Sequence, residues 1–453
     1  MGTIGCVQLC EICSAQWADI HLARQMRADI FERNKRMNNG MKIRVRGGLP
    51  LPPVGSPVNG TTEVATTERV ALLGADYPGM RARILVDQGD IVEAGAPLFE
   101  DRGKPGLRGT APVSGKVLQI NMGAKRRLSS IVLAANNEAP LRFDVSRANS
   151  NDGVRALMQE TGLWTSFRTR PFDRVPSIEG KAAAIFVTAT DTYPNAPNPR
   201  HVLAGQENIF TRGLAALKHL TQGKLYLCQN AGAALAEADP QIVIVNVSGH
   251  HPAGLVGTHI NRLHPPTRQG PVWHIGYQDV LALGKVLTEG HLISVRTITL
   301  TGEGLRQPRQ LQVPMGADLH ALARREMTPG QKRILSGPVI VGRECQFLTR
   351  YHLQATVLNA KAVAPRHWFF AALRAAAVPE AFVPTEALER ALGPKLHVVP
   401  LLRALSIGDA ETAARLGCLQ LAEEDLALAT YVTGGEIDFG MRLRSVLDVL
   451  EAS

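Results

Sequence analysis

Over its first third the chain reads as short apolar runs broken by glycine turns. In MRARILVDQGDIVEAGAPLFEDRGKPGLRGTAPVSGKVLQI the pieces are β-rich and the breaks are QGD, EAG, RGKPG and VSGK. Glycine supplies the positive φ that such turns need. This grammar predicts a small all-β domain over 41–145. From Lys181 the pattern changes. AAAIFVTAT reads as a buried strand that runs into the proline-rich loop DTYPNAPNP, and ENIFTRGLAALKHLTQG reads as an amphipathic helix. KLYLC, QIVIVNV and PVWHIG are further strands, and YQDVLALGKVLTEG is a helix. Alternating strands and helices predict a mainly parallel sheet with helices packed on it, over 146–295. From Arg296 a strand, a turn at TGEG, a second strand and a helix form another unit, over 296–358. The remainder, 359–453, reads as helices with a glycine break at Gly434 and Gly435.

Composition narrows the class. The chain has 453 residues, enough for several cores, with 45% hydrophobic and 20% charged residues, as in an ordinary globular protein. No apolar run is long enough to span a bilayer, so the chain has no transmembrane segment of its own. The net charge is +10, but the basic residues are spread along the chain and aromatics make up 5%, which argues against nucleic acid as a partner. Of six cysteines, Cys228, Cys345 and Cys418 stand alone, a reducing-compartment pattern. Cys6, Cys10 and Cys13 have the C-x3-C-x2-C spacing of a radical-type iron–sulfur motif. Such a motif follows the first strand of a barrel, and only five residues precede Cys6. Residues 1–40 therefore read as an extension with incidental cysteines, not a signal peptide, and Met41 reads as the natural start.

The candidate chemistry centres on SGHHPAGLVGTHINRLHPP, residues 248–266, which leaves QIVIVNV at the end of the sheet where ligands lie in such folds. His250, His251, His259, His264 and His274 are available as metal ligands, but no acidic residue or cysteine lies among them. Gly249, Gly254 and Gly257 do not make a dinucleotide cradle, because the spacing is wrong and Pro252 interrupts. Gly302-Glu303-Gly304 lacks the required context. The stretch reads as a hydrogen-bonded polar loop. In the first domain, V-x-x-G-D-x-V-x-x-G-x-x-L followed by A-P-x-S-G-x-V resembles the barrel-sandwich domains that carry biotin or lipoate. Lys104 is nearest the carrier position, but Pro105 follows it and the usual flanks are missing, so the barrel reads as a scaffold. The unit from Arg296 resembles a β-grasp domain of the soluble-ligand-binding (SLBB) type.

GMRARILVDQGDIVEAGAPLFED, TAPVSGKV, GLWTSFRTRPFDRVP, AIFVTATDT, HPAGLVGTHI, IGYQDVLALGK and ARLGCLQLAEEDLAL occur here in that order, after MKIRVRGGLPLP. In this the chain resembles the A-type subunits of the sodium-translocating NADH:quinone oxidoreductases (Na+-NQR), from Met41 to the C-terminus. The resemblance implies a multidomain α+β and α/β protein: a barrel-sandwich domain, a Rossmann-like α/β domain, an SLBB-like β-grasp domain and a helical C-terminal domain. It implies kinship with the flavin subunit of respiratory complex one and with the Rnf C subunit, without their FMN or cluster ligands; only Cys418 stands in the C-terminal region. It implies a peripheral position on the cytoplasmic face of the bacterial inner membrane, beside the B-type membrane subunit of the Na+-NQR complex and its other subunits. No cofactor is held covalently or as a cluster, NADH and flavins belong to partner subunits, and ubiquinone is the substrate. Residues 356–398 look shortened against the family.

A quinone site needs an apolar slot and donors at the ring carbonyls. LLGADYPGMR offers Leu73, Tyr77, Met80 and Arg81; GLWTSFRTRPF offers Trp164, Phe167, Arg168, Arg170 and Phe172; His250 or His251 is a candidate proton donor. The competing reading is a purely structural component of the same complex, with no quinone site of its own.

Overall fold

The computed structural model describes residues 41–55, 62–136, 138–237, 239–360, 385–393, 396–435 and 437–453. The expectations for residues 1–40, with Cys6, Cys10 and Cys13, and for most of the stretch 356–398 lie outside the described residues.

The centre of the molecule is a six-stranded sheet. Its order is Met41–Arg44, Ile242–Ser248, Leu225–Asn230, Ala184–Ala189, Val272–Gly276 and Arg168–Arg170, parallel throughout except for the last strand. The strands read as near-continuous apolar runs because both faces are covered. Ile185, Val187, Leu225, Leu227, Trp273 and Ile275 pack with helices Glu207–Lys218 and Tyr277–Glu289 on one side. Phe186, Tyr226, Val245, Val247, Val256 and Ile260 form the second layer. Two helices flanking this core carry side-chain caps of the expected kind. Ser150 accepts from the Gly153 amide at the head of Asn151–Glu160, and Asn198 accepts from the Arg200 amide before Pro199–Leu203.

The chain enters the fold differently from the sequence expectation. That expectation puts residues 41–68 in the barrel, yet Met41–Arg44 lies on the edge of the α/β sheet. The reason is in MKIRV itself: its alternation puts Ile43 and Val45 on one face, where both are buried in the second apolar layer. Glu63–Val64 then pairs with Arg309–Pro314 in the β-grasp sheet.

The barrel-sandwich starts at Arg69. One sheet holds Arg69–Leu73, Leu128–Ala135, Gly115–Met122 and Ile91–Val92; the other holds Ala82–Ile84, Pro97–Asp101 and Arg108–Thr110. Val70, Leu72, Tyr77, Leu98, Phe99, Val117, Ile131 and Leu133 fill the space between them. Lys104 is exposed at the turn between the last two strands. The β-grasp domain pairs Val295–Thr301 antiparallel with Arg309–Pro314 and parallel with Gln354–Asn359, and helix Leu319–Ala323 packs on its core. From Glu386 to Ala452 every described regular element is helical, packed around Leu401, Leu402, Leu426, Phe439 and Leu443.

If Met41–Arg44 is an integral strand, Ile43→Ala costs about 3 kcal/mol of stability. Val64→Ala, 77% exposed on the other early strand, changes it by less than about 0.5 kcal/mol. Urea unfolding of the two variants checks this; equal, small effects would remove Met41–Arg44 from the core.

Candidate functional site

The histidine stretch folds as a short loop followed by a helix, Val256–Leu263, in place of the loop to residue 266 that the sequence suggests. The apolar side chains of Val256 and Ile260 fall on one helical face and bury into the sheet, which accounts for the difference. The three glycines admit neighbouring protein. A Cβ on Gly249 would lie 2.7 Å from the Val45 carbonyl oxygen, on Gly254 2.4 Å from the Thr192 amide, and on Gly257 2.3 Å from the Asp425 carboxylate. Thus the edge strand, the proline-rich loop and the C-terminal helices close on the crevice where a nucleotide would sit.

The five histidines are separately placed, and His264 is half-buried at the end of the helix. His250 is exposed. His251 is buried, with its ring 4.4 Å from that of Tyr193 and Nδ1 3.1 Å from the Thr192 hydroxyl. His259 is fully enclosed and its Nε2 meets the Ala253 carbonyl at 2.8 Å. Burial pushes both His251 and His259 down to about 4. His274 lies 2.9 Å from a nitrogen of Arg170. Among the described residues no three His, Cys, Asp or Glu side chains are grouped so as to hold a metal ion.

A second cluster of polar groups lies where the barrel, the α/β domain and the β-grasp domain meet. Strand Arg69–Leu73 ends in a turn of 3-10 helix, Gly74–Asp76, followed by Tyr77. The Arg168 guanidinium donates to the Asp76 carbonyl at 2.6 Å and lies 4.3 Å from the centre of the Tyr351 ring. The Arg350 amide donates to the Asp76 carboxylate at 2.9 Å, and its guanidinium donates to the Ser166 hydroxyl at 2.7 Å. Ser166 in turn donates to Asp279 at 2.7 Å, and Arg296 donates to the same carboxylate oxygen at 2.5 Å. Three arginines and two aspartates are buried together here, an excess of cation. Burial works against the charge on Arg350, but Tyr77, Tyr351, Asp279 and Asp76 raise its pKa; burial raises Asp76. The Tyr351 hydroxyl is tied to the Thr165 carbonyl at 2.6 Å, yet 36% of the residue stays exposed. Burial pushes its phenol up to about 12.

The junction brings together only part of the residues named from sequence. Tyr77 is buried edge-on to Phe99 with Met80 half-buried in the same cluster, while Leu73 is half-buried in a separate cluster with Ala71, Val132 and Phe347. Arg81 is exposed. Trp164 and Phe167 are enclosed in the α/β core, packed on Trp273, and the Trp164 indole donates to the Pro176 carbonyl. They present no surface to a ligand. Arg170 faces elsewhere: it pairs with Asp173 and reaches Glu424 at 3.4 Å, docking the C-terminal helices. Burial opposes the Asp173 charge, but Arg170 holds its carboxyl well below the usual carboxylate range. Phe172 is half-buried against the same helices, with its carbonyl accepting from Arg444 at 2.9 Å.

Sequence reasoning missed Arg350, Tyr351, Asp279 and Arg296. Arg296 carried a signal, a cation at the head of an apolar strand, where charge is costly unless paired. Arg350 and Tyr351 carried none, since their partners are 184 and 186 residues away.

A carrier-like barrel, a mainly parallel α/β domain whose crevice is filled by its own residues and a β-grasp domain, joined by buried polar contacts, define a multidomain α/β protein. Family profiles agree domain by domain. The NqrA N-terminal barrel-sandwich hybrid domain matches residues 43–136, the NqrA second alpha/beta domain 149–292, and the NQRA C-terminal domain, of the SLBB kind, 297–346. The A-type subunit of the Na(+)-translocating NADH-quinone reductase of Vibrio anguillarum is 38% identical over 90% of this chain and 99% of its own length. Those of Yersinia pestis and Shewanella amazonensis are equally similar over the same shares. Among solved structures, an NAD+-reducing [NiFe]-hydrogenase in the air-oxidized state aligns over 68% of this chain and 62% of its own at 14% identity and a TM-score of 0.36, too slight a likeness to bear on the fold. The chain belongs to the NqrA family, the A-type subunits of the Na(+)-translocating NADH-quinone reductase, and so is a component of that complex. No helix of the described residues is long and apolar enough to cross a membrane.

His259 gives a pH test of the closed crevice. Its pKa is lowered to about 4 from 6.5, so between those values the unfolded chain binds a proton that the native chain refuses. Its contribution to stability is therefore full above the upper value and is lost as pH falls through the window. His259→Gln, which keeps an amide for the Ala253 carbonyl, should flatten the decline by up to about 1.4 kcal/mol per pH unit. Urea midpoints of wild type and variant across that window check this. Parallel curves would show that His259 is not held neutral.

Proposed function

We propose that this chain is a peripheral component on the cytoplasmic face that takes part in binding ubiquinone and reducing it to ubiquinol, with electrons delivered from a redox group in a partner subunit. The relatives are named as NADH-quinone reductase subunits. The observation that carries the reading is the Arg168 guanidinium, which joins the Tyr77 turn to the half-exposed Tyr351 ring. Reduction adds two electrons and two protons, and negative charge builds on the ring oxygens before the protons arrive. Arginine stays charged throughout, and the excess of buried guanidinium over carboxylate favours that anion. Met80, clustered with Tyr77, supplies apolar surface beside the turn, and Leu73 does so from the other face of the strand. NADH and flavins act in partner subunits, and the B-type membrane subunit is the natural cover for the exposed Tyr351. The α/β strands run in the order of half a dinucleotide-binding fold, so we read this domain as a Rossmann-like unit whose crevice has been filled.

One observation favours the second reading, a component that only braces the complex. Among the described residues, the cavity beside Asp425 holds about 60 Å³ and the one beside Arg296 and Arg350 about 10 Å³. Ligand pockets run to several hundred Å³. On the first reading, a quinone ring lies against the exposed Tyr351 and is enclosed by a partner subunit in the assembled complex.

Arg168→Gln separates the two readings. In the assembled complex the KM for a short-chain ubiquinone rises about tenfold, equivalent to ~1.4 kcal/mol, while NADH oxidation with an artificial acceptor is unchanged. An unaltered quinone KM in fully assembled complex would favour the brace.

A further inference from the structure

We propose that the hairpin tip Met122–Arg127 of the barrel docks on an anionic phospholipid surface. The tip joins Gly115–Met122 and Leu128–Ala135, and its turn is closed by the Gly123 amide donating to the Arg127 carbonyl at 2.7 Å. Every residue from Asn121 to Arg127 is exposed. Lys125, Arg126 and Arg127 follow one another, and from Gly115 to Ala135 there is no acidic residue. Lys125 and Arg126 sit in the left-handed region, at φ 55° and 53°, where residues other than glycine are uncommon.

What sets this cluster apart is a run of three consecutive exposed cations that meets no partner. Several other exposed arginines have acids to meet: Arg83 pairs with Glu100, Arg333 with Glu344, Arg390 with Glu386 and Arg415 with Glu411. Among the described residues, none of the three tip cations has an ion pair or a side-chain hydrogen bond. Their natural counter-charge lies outside the chain. A projecting, convex turn suits an extended surface better than a groove. Met122, 47% exposed beside the cations, adds the apolar contact that interfacial segments combine with basic charge.

The position is apt. Leu73 pairs with Ser130 just inside the tip, so the hairpin stands beside the Gly74–Asp76 turn at the three-domain junction. Docking there turns that junction toward the phase in which a lipid-soluble substrate dissolves. The lipid contact itself rests on charge and exposure alone and does not require the quinone reading.

The test is flotation of the full chain with phosphatidylcholine vesicles, with and without phosphatidylglycerol. Each basic residue at an anionic leaflet contributes roughly fivefold, so replacing Lys125, Arg126 and Arg127 by Gln weakens partitioning to the anionic vesicles by about a hundredfold. Because the whole chain carries +10, the control is the same charge change elsewhere: Gln at Arg306, Arg324 and Arg325, all exposed in the β-grasp domain. That variant keeps most of its binding. Circular dichroism confirms that both variants fold. The proposal is overturned if wild type ignores anionic vesicles, or if the two variants partition alike. It is also overturned if the tip variant binds vesicles like wild type but fails to assemble with the other subunits, which would make an acidic protein surface the partner.

Discussion

Asp279 is almost wholly enclosed, and one of its carboxylate oxygens accepts from both the Ser166 hydroxyl and the Arg296 guanidinium. A buried carboxylate is tolerable only with such partners, and removing one leaves the other as an uncompensated charge. The chain of contacts continues from Ser166 to Arg350, from Arg350 to Asp76 and from Asp76 to Arg168. Barrel, α/β and β-grasp residues alternate along it. The three domains are therefore held in one arrangement by groups that cannot be separated without exposing or orphaning a charge. The surface around Tyr351 exists only in that arrangement.

The crevice of the α/β sheet has the opposite character. In a nucleotide-binding sheet the glycines after a strand clear room for a pyrophosphate. In this chain Gly249, Gly254 and Gly257 clear room for Val45, Thr192 and Asp425. The β-grasp domain holds the proline-rich loop down as well, with Thr299 and Gln354 donating to the Asn195 and Pro194 carbonyls. Of the histidines that made the stretch look like a metal or proton-transfer site, His250 is exposed, and His251 and His259 are each packed against their own partners and kept neutral by burial.

The apolar periodicity of the α/β strands was legible because both faces are buried, and the barrel was legible because its turns demand glycine at fixed places. The place of Met41–Arg44 was not, because a four-residue strand carries its pairing partner nowhere in its own text. Tyr77 and Arg168 were named from sequence as candidate donors, and the fold brings both to the junction, Tyr77 after the Gly74–Asp76 turn and Arg168 from the edge strand. Trp164 and Phe167 were not distinguishable from ligand contacts by sequence, since an aromatic core edge and an aromatic site have the same spelling. Arg350 was invisible for a different reason: its role comes from contacts with Asp76 and Ser166, formed across most of the chain. Sites built from such non-local ion pairs leave no local pattern.

On the proposed function the three-domain junction, not the histidine stretch, faces the quinone. Photo-crosslinking of the assembled complex with a reactive ubiquinone analogue, followed by peptide mapping, tests it most directly. Label is then expected within residues 73–81 or 343–351, suppressed by excess ubiquinone. Label confined to residues 248–266, or found only on other subunits, would contradict it.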